Sequence, residues 1–314
     1  MTTTAEPRAH ALEVASRPVF VVGHPRSGTT WTYDLLTSHP AVAGVFESAL
    51  FMREHIGVLA DRFVRHIKGI STQWEPAFRE GFTRHRWGPA QLIDRDTAVA
   101  SLRDVTTSWL ANAVAADHRL LVEKTPGHDY SLPLLAELFP AARVVLVVRN
   151  GLDVAASTKA EQKGFDPRWP GGWWASIRWA RRAGRSWAQW VTDGARIARE
   201  IPLPVHVVRY EALRAAPHEG LRRLFDFCAL DWDEQLVADV VARNDIASIP
   251  DRGEGRFFRA GRVGDGRRQL TRIEQALFEG AAADALIAGG YLTCAGRVAR
   301  LSDRVFAARR ALLR

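Results

Sequence analysis

A continuous apolar run, PVFVVG at residues 18–23, turns through HPRSG and opens into TTWTYDLL. A strand with no polar face must be covered on both sides, the situation of a parallel sheet between helical layers. The loop that follows narrows the possibilities. Gly23 and Gly28 have the spacing of the triphosphate loop GxxxxGK[ST], but Thr29 stands where the lysine belongs. The unpaired N–H groups of a helix N-terminus still attract an anion, and the helix dipole favours negative charge there. Ser27, Thr29 and Thr30 add hydroxyl donors, and Arg26 adds a cation. What is lost is the lysine that reaches a γ-phosphate, so the loop suits a shorter anion.

The pattern continues downstream. RVVLVV at 143–148 and PVHVV at 204–208 read as two more buried strands. The first is followed by a helical GLDVAASTKAEQKG, and helical segments around 217–229 and 233–243 follow the second. The predicted class is α/β, with a parallel central sheet flanked by helices. Residues 17–295 read as a single domain, preceded by a loose arm over 1–16. Residues 50–120 read as mixed and mostly helical. Residues 165–195 hold Trp169, Trp173, Trp174, Trp179, Trp187 and Trp190, as helix packing or as lining for an apolar acceptor pocket.

Composition excludes several classes. No stretch approaches the roughly 18 apolar residues of a membrane span, and the first twenty residues lack the apolar centre of a signal peptide. Cys228 and Cys294 are too few for a disulfide framework and lack metal-ligand spacing, so a reducing cytoplasm is expected. The net charge is +8, but residues 297–314 contribute +5 of it through six arginines against Asp303. The body is therefore not a basic nucleic-acid surface by composition. In that tail Val298, Leu301, Val305, Ala308 and Leu312 fall at helical spacing, predicting a basic amphipathic helix over 296–314. Such a helix either docks on the domain or lies on an anionic membrane surface.

Four separated segments carry a family resemblance. PRSGTTW at 25–31 resembles the 5′-phosphosulfate loop of sulfotransferases that use 3′-phosphoadenosine 5′-phosphosulfate (PAPS). VVRNGLDVAAS resembles the family's 3′-phosphate element, with Arg149 and Ser157 eight residues apart. VRYEAL followed by AAP resembles the strand-end tyrosine motif, and RAGRVGDGRRQLT at 259–271 resembles the closing loop usually written RKGxxGDWxxxxT. The resemblance implies a P-loop-like nucleotide-binding fold and PAPS as co-substrate, with 3′-phosphoadenosine 5′-phosphate (PAP) as product and no metal. It assigns Arg26, Ser27, Gly28, Thr29 and Thr30 to the phosphosulfate, and Arg149, Ser157, Arg259 and Gly261 to the 3′-phosphate. Trp31 and Tyr210 are assigned to the adenine, although Trp31 could equally be a core residue of the first helix. Two positions depart from the pattern: Ala260 replaces a lysine and Gly266 a tryptophan. Arg262, Arg267 or Arg268 could compensate for the lost cation.

The same resemblance assigns the chemistry. VEKTPGH at 122–128 is similar to the lysine segment of the protein-tyrosine and bacterial branches, with Lys124 and Arg26 as the cations that stabilise developing charge. Only four lysines occur against thirty-nine arginines, which suits a need for a compact cation at 124. The histidine base of the small-molecule branch is absent, because Pro126 occupies its position. Glu47, in HPAVAGVFES, stands where the protein-tyrosine branch carries its glutamate base, and is expected to be buried near Phe46 and Phe51. His128 is the rival base. A general base would contribute about 10²–10⁴-fold in rate. The expected reaction is sulfuryl transfer to an acceptor hydroxyl of a carbohydrate, glycolipid or small-molecule natural product. A nucleotide kinase or NTPase with a degenerate loop is the alternative, and a non-enzymatic nucleotide-binding module is a third. The acceptor and the choice of monomer or homodimer are left open.

Overall fold

The computed structural model describes residues 5–51, 95–245 and 261–291. Chain order begins α1 (Ala5–Ala15), β1 (Val19–Gly23), α2 (Thr29–Thr37) and β2 (Val42–Phe46). Next come α3 (Arg95–Leu110), β3 (Leu120–Lys124), a 3₁₀ turn (Pro126–Ser131), α4 (Leu132–Leu138) and β4 (Arg143–Val148). They are followed by α5 (Gly151–Phe165), α6 (Trp173–Glu200), β5 (Val205–Arg209), α7 (Tyr210–Ala215), α8 (Pro217–Cys228) and α9 (Glu234–Arg243). The last described elements are α10 (Asp265–Gln269), α11 (Arg272–Ala281) and α12 (Ala283–Ala288).

The five strands form one parallel sheet in the order β2-β3-β1-β4-β5. Val19 lies opposite Val122 and Val21 opposite Lys124, while Phe46 at the end of β2 lies opposite Lys124. The three predicted strands are present as β1, β4 and β5, each followed by a helix. β2 and β3 were not legible as strands, for different reasons. VAGVF is short, glycine-broken and on the sheet edge, and LLVEK ends in two charges that no buried strand normally carries.

The described residues fall into two compact units: 5–22, 36–51, 95–145 and 200–205 in one, and 23–35, 146–199, 206–245 and 261–291 in the other. In the first unit, Phe20, Phe51 and Phe139 are fully buried and meet edge to face at centroid distances of 5.6 to 6.3 Å. The expected loose arm over 1–16 is instead largely helix α1. Ala11, Val14 and Ala15 of α1 are buried, Arg8 donates to Ser108 Oγ (2.7 Å) and Asn112 Oδ1 (3.1 Å), and the His10 ring bonds His118 O (2.8 Å). Its apolar face is narrow and alanine-rich, so the sequence carries little helical contrast. Arg103 of α3 donates to the carbonyls of Glu137 and Leu138, satisfying the open C-terminal end of α4.

In the second unit, Trp187 and Phe278 centre a cluster that includes Leu152, Val154, Leu270 and Leu286. Two of the six noted tryptophans, Trp187 and Trp190, are buried as helix packing. Asn150 caps α5 by accepting from Leu152 N at 2.9 Å, and Asp233 caps α9 by accepting from Leu236 N at 2.7 Å. Thr271 and Glu274 form a capping box at α11. Glu274 also receives Lys159 Nζ at 2.6 and 2.7 Å, and the Ser176 hydroxyl. Burial pushes the Glu274 carboxyl up, but bonds from Lys159, Ser176 and Thr271 outweigh it and hold the group below its ordinary value. Among the described residues no helix is long and apolar enough to cross a membrane. The basic segment 296–314 lies outside the described residues.

Two outcomes follow for stability. A Cβ at Gly151 would lie 2.6 Å from the Trp187 ring and 2.7 Å from the Phe278 ring. Gly151→Ala, which helix propensity alone would favour, should instead destabilise by about 1–3 kcal/mol in urea unfolding. Because the folded carboxyl of Glu274 is depressed, its contribution is complete above the unfolded glutamate range and disappears as pH falls through the folded value. Thermal melts should show a smaller acid-side loss of stability in Glu274→Gln than in the parent chain.

Candidate active site

The candidate residues form two clusters, one in each unit. In the second unit the loop after β1 closes with Ser27 N donating to His24 O at 2.9 Å. Arg26 and Gly28 both have left-handed φ, +72° and +96°. For Arg26 this is a strained conformation, costing on the order of 1–3 kcal/mol and of the kind that gathers at binding sites. Gly28 has a further reason to be glycine, since a Cβ there would lie 2.3 Å from the Tyr210 ring. Ser27 is buried, and its hydroxyl has no hydrogen-bond partner among the described residues. Thr29 is likewise buried at the first position of α2.

Arg149, at the end of β4, braces this loop. It donates to Arg26 O at 3.3 Å and to Arg262 O at 3.2 Å, and its guanidinium lies 4.3 Å from the Tyr210 ring centroid. Its buried Nε has no partner among the described residues. Tyr210 is itself buried and donates to Gly261 O at 2.7 Å; burial raises its phenol above the ordinary value. Trp31 is 4% exposed, donates to Asn244 O at 2.9 Å and meets Tyr210 edge to face. Arg26 Nε donates to Ser157 Oγ at 3.1 Å, and Nη1 to Glu161 Oε1 at 3.2 Å. Two residues assigned to opposite ends of the cofactor are thus in contact. Glu161 was missed, although its place one turn beyond Ser157 on α5 puts both on one helix face.

Asp153 fixes the closing segment by accepting from Gly264 N at 2.9 Å and Gly266 N at 2.7 Å. A Cβ at Gly266 would lie 2.5 Å from the Leu152 backbone, which accounts for glycine where the family usually carries tryptophan. Arg262, Arg267 and Arg268 are exposed. Arg259 and Ala260 lie outside the described residues. His24, at the mouth of the loop, bonds Pro25 O through Nδ1 at 2.6 Å, and burial lowers its imidazole below the ordinary value.

The first unit holds the second cluster. Lys124 is fully buried, not the exposed surface lysine its charge would allow. Its Nζ donates to Glu47 Oε1 at 2.5 Å and lies 3.7 Å from the Phe46 ring centroid. Glu47 N also donates to Lys124 O at 2.7 Å, so backbone and side chain are both tied to one residue. Glu47 is not buried as expected, because β2 is an edge strand: its side chain remains 38% exposed and Phe46 48%. Both Glu47 and Ala49 have left-handed φ, +46° and +51°.

Beneath this turn lies Glu123, wholly buried. Its Oε1 accepts from Ser48 Oγ and Thr125 Oγ1, both at 2.7 Å, and its Oε2 from His128 Nδ1 at 2.9 Å. His128 Nε2 accepts from Phe51 N at 3.1 Å, which places the ring proton on Nδ1. With both nitrogens engaged and the ring fully buried, His128 is a structural residue and not a competitor for the base. Glu123 was missed because a lone acid beside a lysine in a short apolar run reads as a surface charge.

Residues 18–234 match the sulfotransferase family. The chain belongs to that family. It is 28% identical to an uncharacterized protein of Aquifex aeolicus over 71% of this chain and 27% of the other. It is 26% identical to protein-tyrosine sulfotransferase 1 of Danio rerio over 70% of this chain and 55% of that enzyme. The chain therefore spans between about a quarter and a half of the length of these relatives. Its fold is shared with a mouse sulfotransferase solved in complex with PAP, at a TM-score of 0.56, 16% identity and 93% coverage of both chains.

Replacing Glu123 by glutamine sets an amide N–H against a ring or hydroxyl donor. Glu123→Gln should lower stability by about 1–3 kcal/mol, measured by denaturant unfolding.

Proposed function

We propose that this protein is a PAPS-dependent sulfotransferase that transfers a sulfuryl group to an acceptor hydroxyl. The observation that carries the reading is the loop at Gly23–Thr29. There a buried serine hydroxyl and a buried arginine Nε stand without partners among the described residues, beside a turn with two left-handed residues. Such groups are expensive to leave unpaired in a finished interior and fit a ligand of multiple negative charge. Family membership, and the fold shared with a mouse sulfotransferase bound to PAP, make PAP the first ligand to test.

When bound, PAPS would supply the sulfuryl group: the acceptor oxygen forms the new O–S bond as the S–O bond to the phosphate breaks. Ser27, Thr29, Thr30, the Gly28 backbone and Arg26 would hold the phosphosulfate end. Arg149, Ser157 and the backbone at Gly261 would hold the 3′-phosphate, with Tyr210 toward the adenine. Glu47, exposed at its strand end, would take the proton of the acceptor hydroxyl. Lys124, buried against Glu47, would hold that carboxylate in place and supply positive charge as the transition state forms. The favoured acceptors are a carbohydrate, a glycolipid or a small-molecule natural product.

Calorimetry with PAP against ATP tests the first part. PAP should bind more tightly, and tighter ATP binding would turn the reading toward a degenerate nucleotide kinase or NTPase. Glu47→Gln should retain PAP affinity while turnover falls about 10²–10⁴-fold; full activity in that variant removes Glu47 as the base. Labelled PAPS offered with carbohydrate, glycolipid, phenol and peptide acceptors identifies the acceptor class.

A further inference from the structure

The three most exposed large apolar side chains among the described residues fall in one short stretch: Phe165 at 63%, Trp173 at 58% and Trp174 at 67%. Phe165 ends α5, and the two tryptophans open α6. The ground around them is open, since a Cβ added at Gly164, Gly171 or Gly172 would meet nothing within 4 Å. Yet the rings are not presented by a loose end. Ser176 N donates to Gly172 O at 3.0 Å, and the Ser176 hydroxyl donates to Glu274, itself paired with Lys159. Trp169 packs edge to face on Trp179 at 5.2 Å, and Trp173 on Trp174 at 4.5 Å. A tip of aromatic rings held out on a fixed base is a mark of an interaction surface.

The charge beside it is predominantly positive, the one acid at the tip, Asp166, being paired with Arg168 at 3.6 Å. From Pro167 to Thr192 there are five arginines and no acidic residue. Arg178, Arg182 and Arg185 are exposed and follow Trp174 at helical spacing along one stripe of α6. Among the described residues none of the three has an ion-pair partner. Lys163 is also exposed near the tip. A soluble polyanion would use the arginines and leave the aromatic rings in water. A lipid interface uses both, with tryptophan rings at the headgroup level and guanidinium groups on the phosphates. We propose that this aromatic tip and arginine stripe dock the protein on an anionic phospholipid bilayer. The inference stands apart from the basic segment 296–314 and does not depend on the reaction the protein catalyses.

Sedimentation of the full chain with vesicles tests it, using phosphatidylcholine alone and phosphatidylcholine with phosphatidylserine. Binding should be confined to the anionic vesicles and weaken as salt rises. Each surface cation contributes about five-fold in partition, so Arg178→Ala with Arg182→Ala should reduce binding about 25-fold. Trp173→Ser with Trp174→Ser should reduce it on the order of ten-fold. The segment 296–314 is common to every variant, so these losses report on the α6 face alone. Circular dichroism and PAP calorimetry, unchanged, show that each variant is folded; if the double tryptophan variant misfolds, Trp174→Ser alone gives the same reading. Equal binding to neutral vesicles, no binding to either vesicle, or binding untouched by the tryptophan or arginine changes overturns the proposal. Arginine-dependent retention on heparin without vesicle binding would likewise overturn it in favour of a soluble polyanion.

Discussion

A carboxylate with no access to water must be satisfied where it sits, and the turn after β2 is arranged around that demand. Glu123 ends up among three side-chain donors, and each donor belongs to a segment that would otherwise be loose. Ser48 ties down the turn, Thr125 the start of the 3₁₀ segment, and His128 passes the constraint on to Phe51 through its second nitrogen. Glu47 and Ala49 hold left-handed backbone on either side of Ser48. The strain persists because the buried network over-determines it.

The second unit uses a different device for a comparable end. There the bracing groups are an arginine, a tyrosine and an aspartate that reach backbone atoms of separate loops. Arg149 spans Arg26 and Arg262, Tyr210 reaches Gly261, and Asp153 takes two N–H groups of the closing segment. Each of these bonds is made to the main chain. In both units the anchored residues follow the apolar stretch of a strand, where an open α/β sheet offers its ligand crevice.

Much of this was legible from residue order alone, because the signals were local. Three unbroken apolar strands, a glycine-punctuated turn and helices with caps declare themselves within a few residues. The two remaining strands did not, since VAGVF lacks a run and LLVEK hides its burial behind Glu123 and Lys124. Site residues followed the same division. The loop residues Arg26, Ser27 and Gly28 stood out by their glycine spacing and Arg149 and Tyr210 by the family resemblance, and the structure places the five side by side. Glu123, Asp153 and Glu161 were not named, because an acid carries no mark of burial and the partners of Asp153 and Glu161 lie more than a hundred residues away. His128 and Trp31 are the converse case: their residue type suggests chemistry, while the structure shows both buried and hydrogen-bonded.

Gly266 shows how such a departure becomes fixed. The backbone of Leu152 occupies the space a side chain would need at that position. A single replacement by the bulky ring found in relatives would therefore collide with the main chain of α5. Restoring it would require the helix start to shift as well, and that start is bound up with the Asn150 cap and the Asp153 bonds. A side chain at position 266 therefore needs two coordinated changes, one in the closing segment and one at the start of α5, and a single substitution supplies only the first.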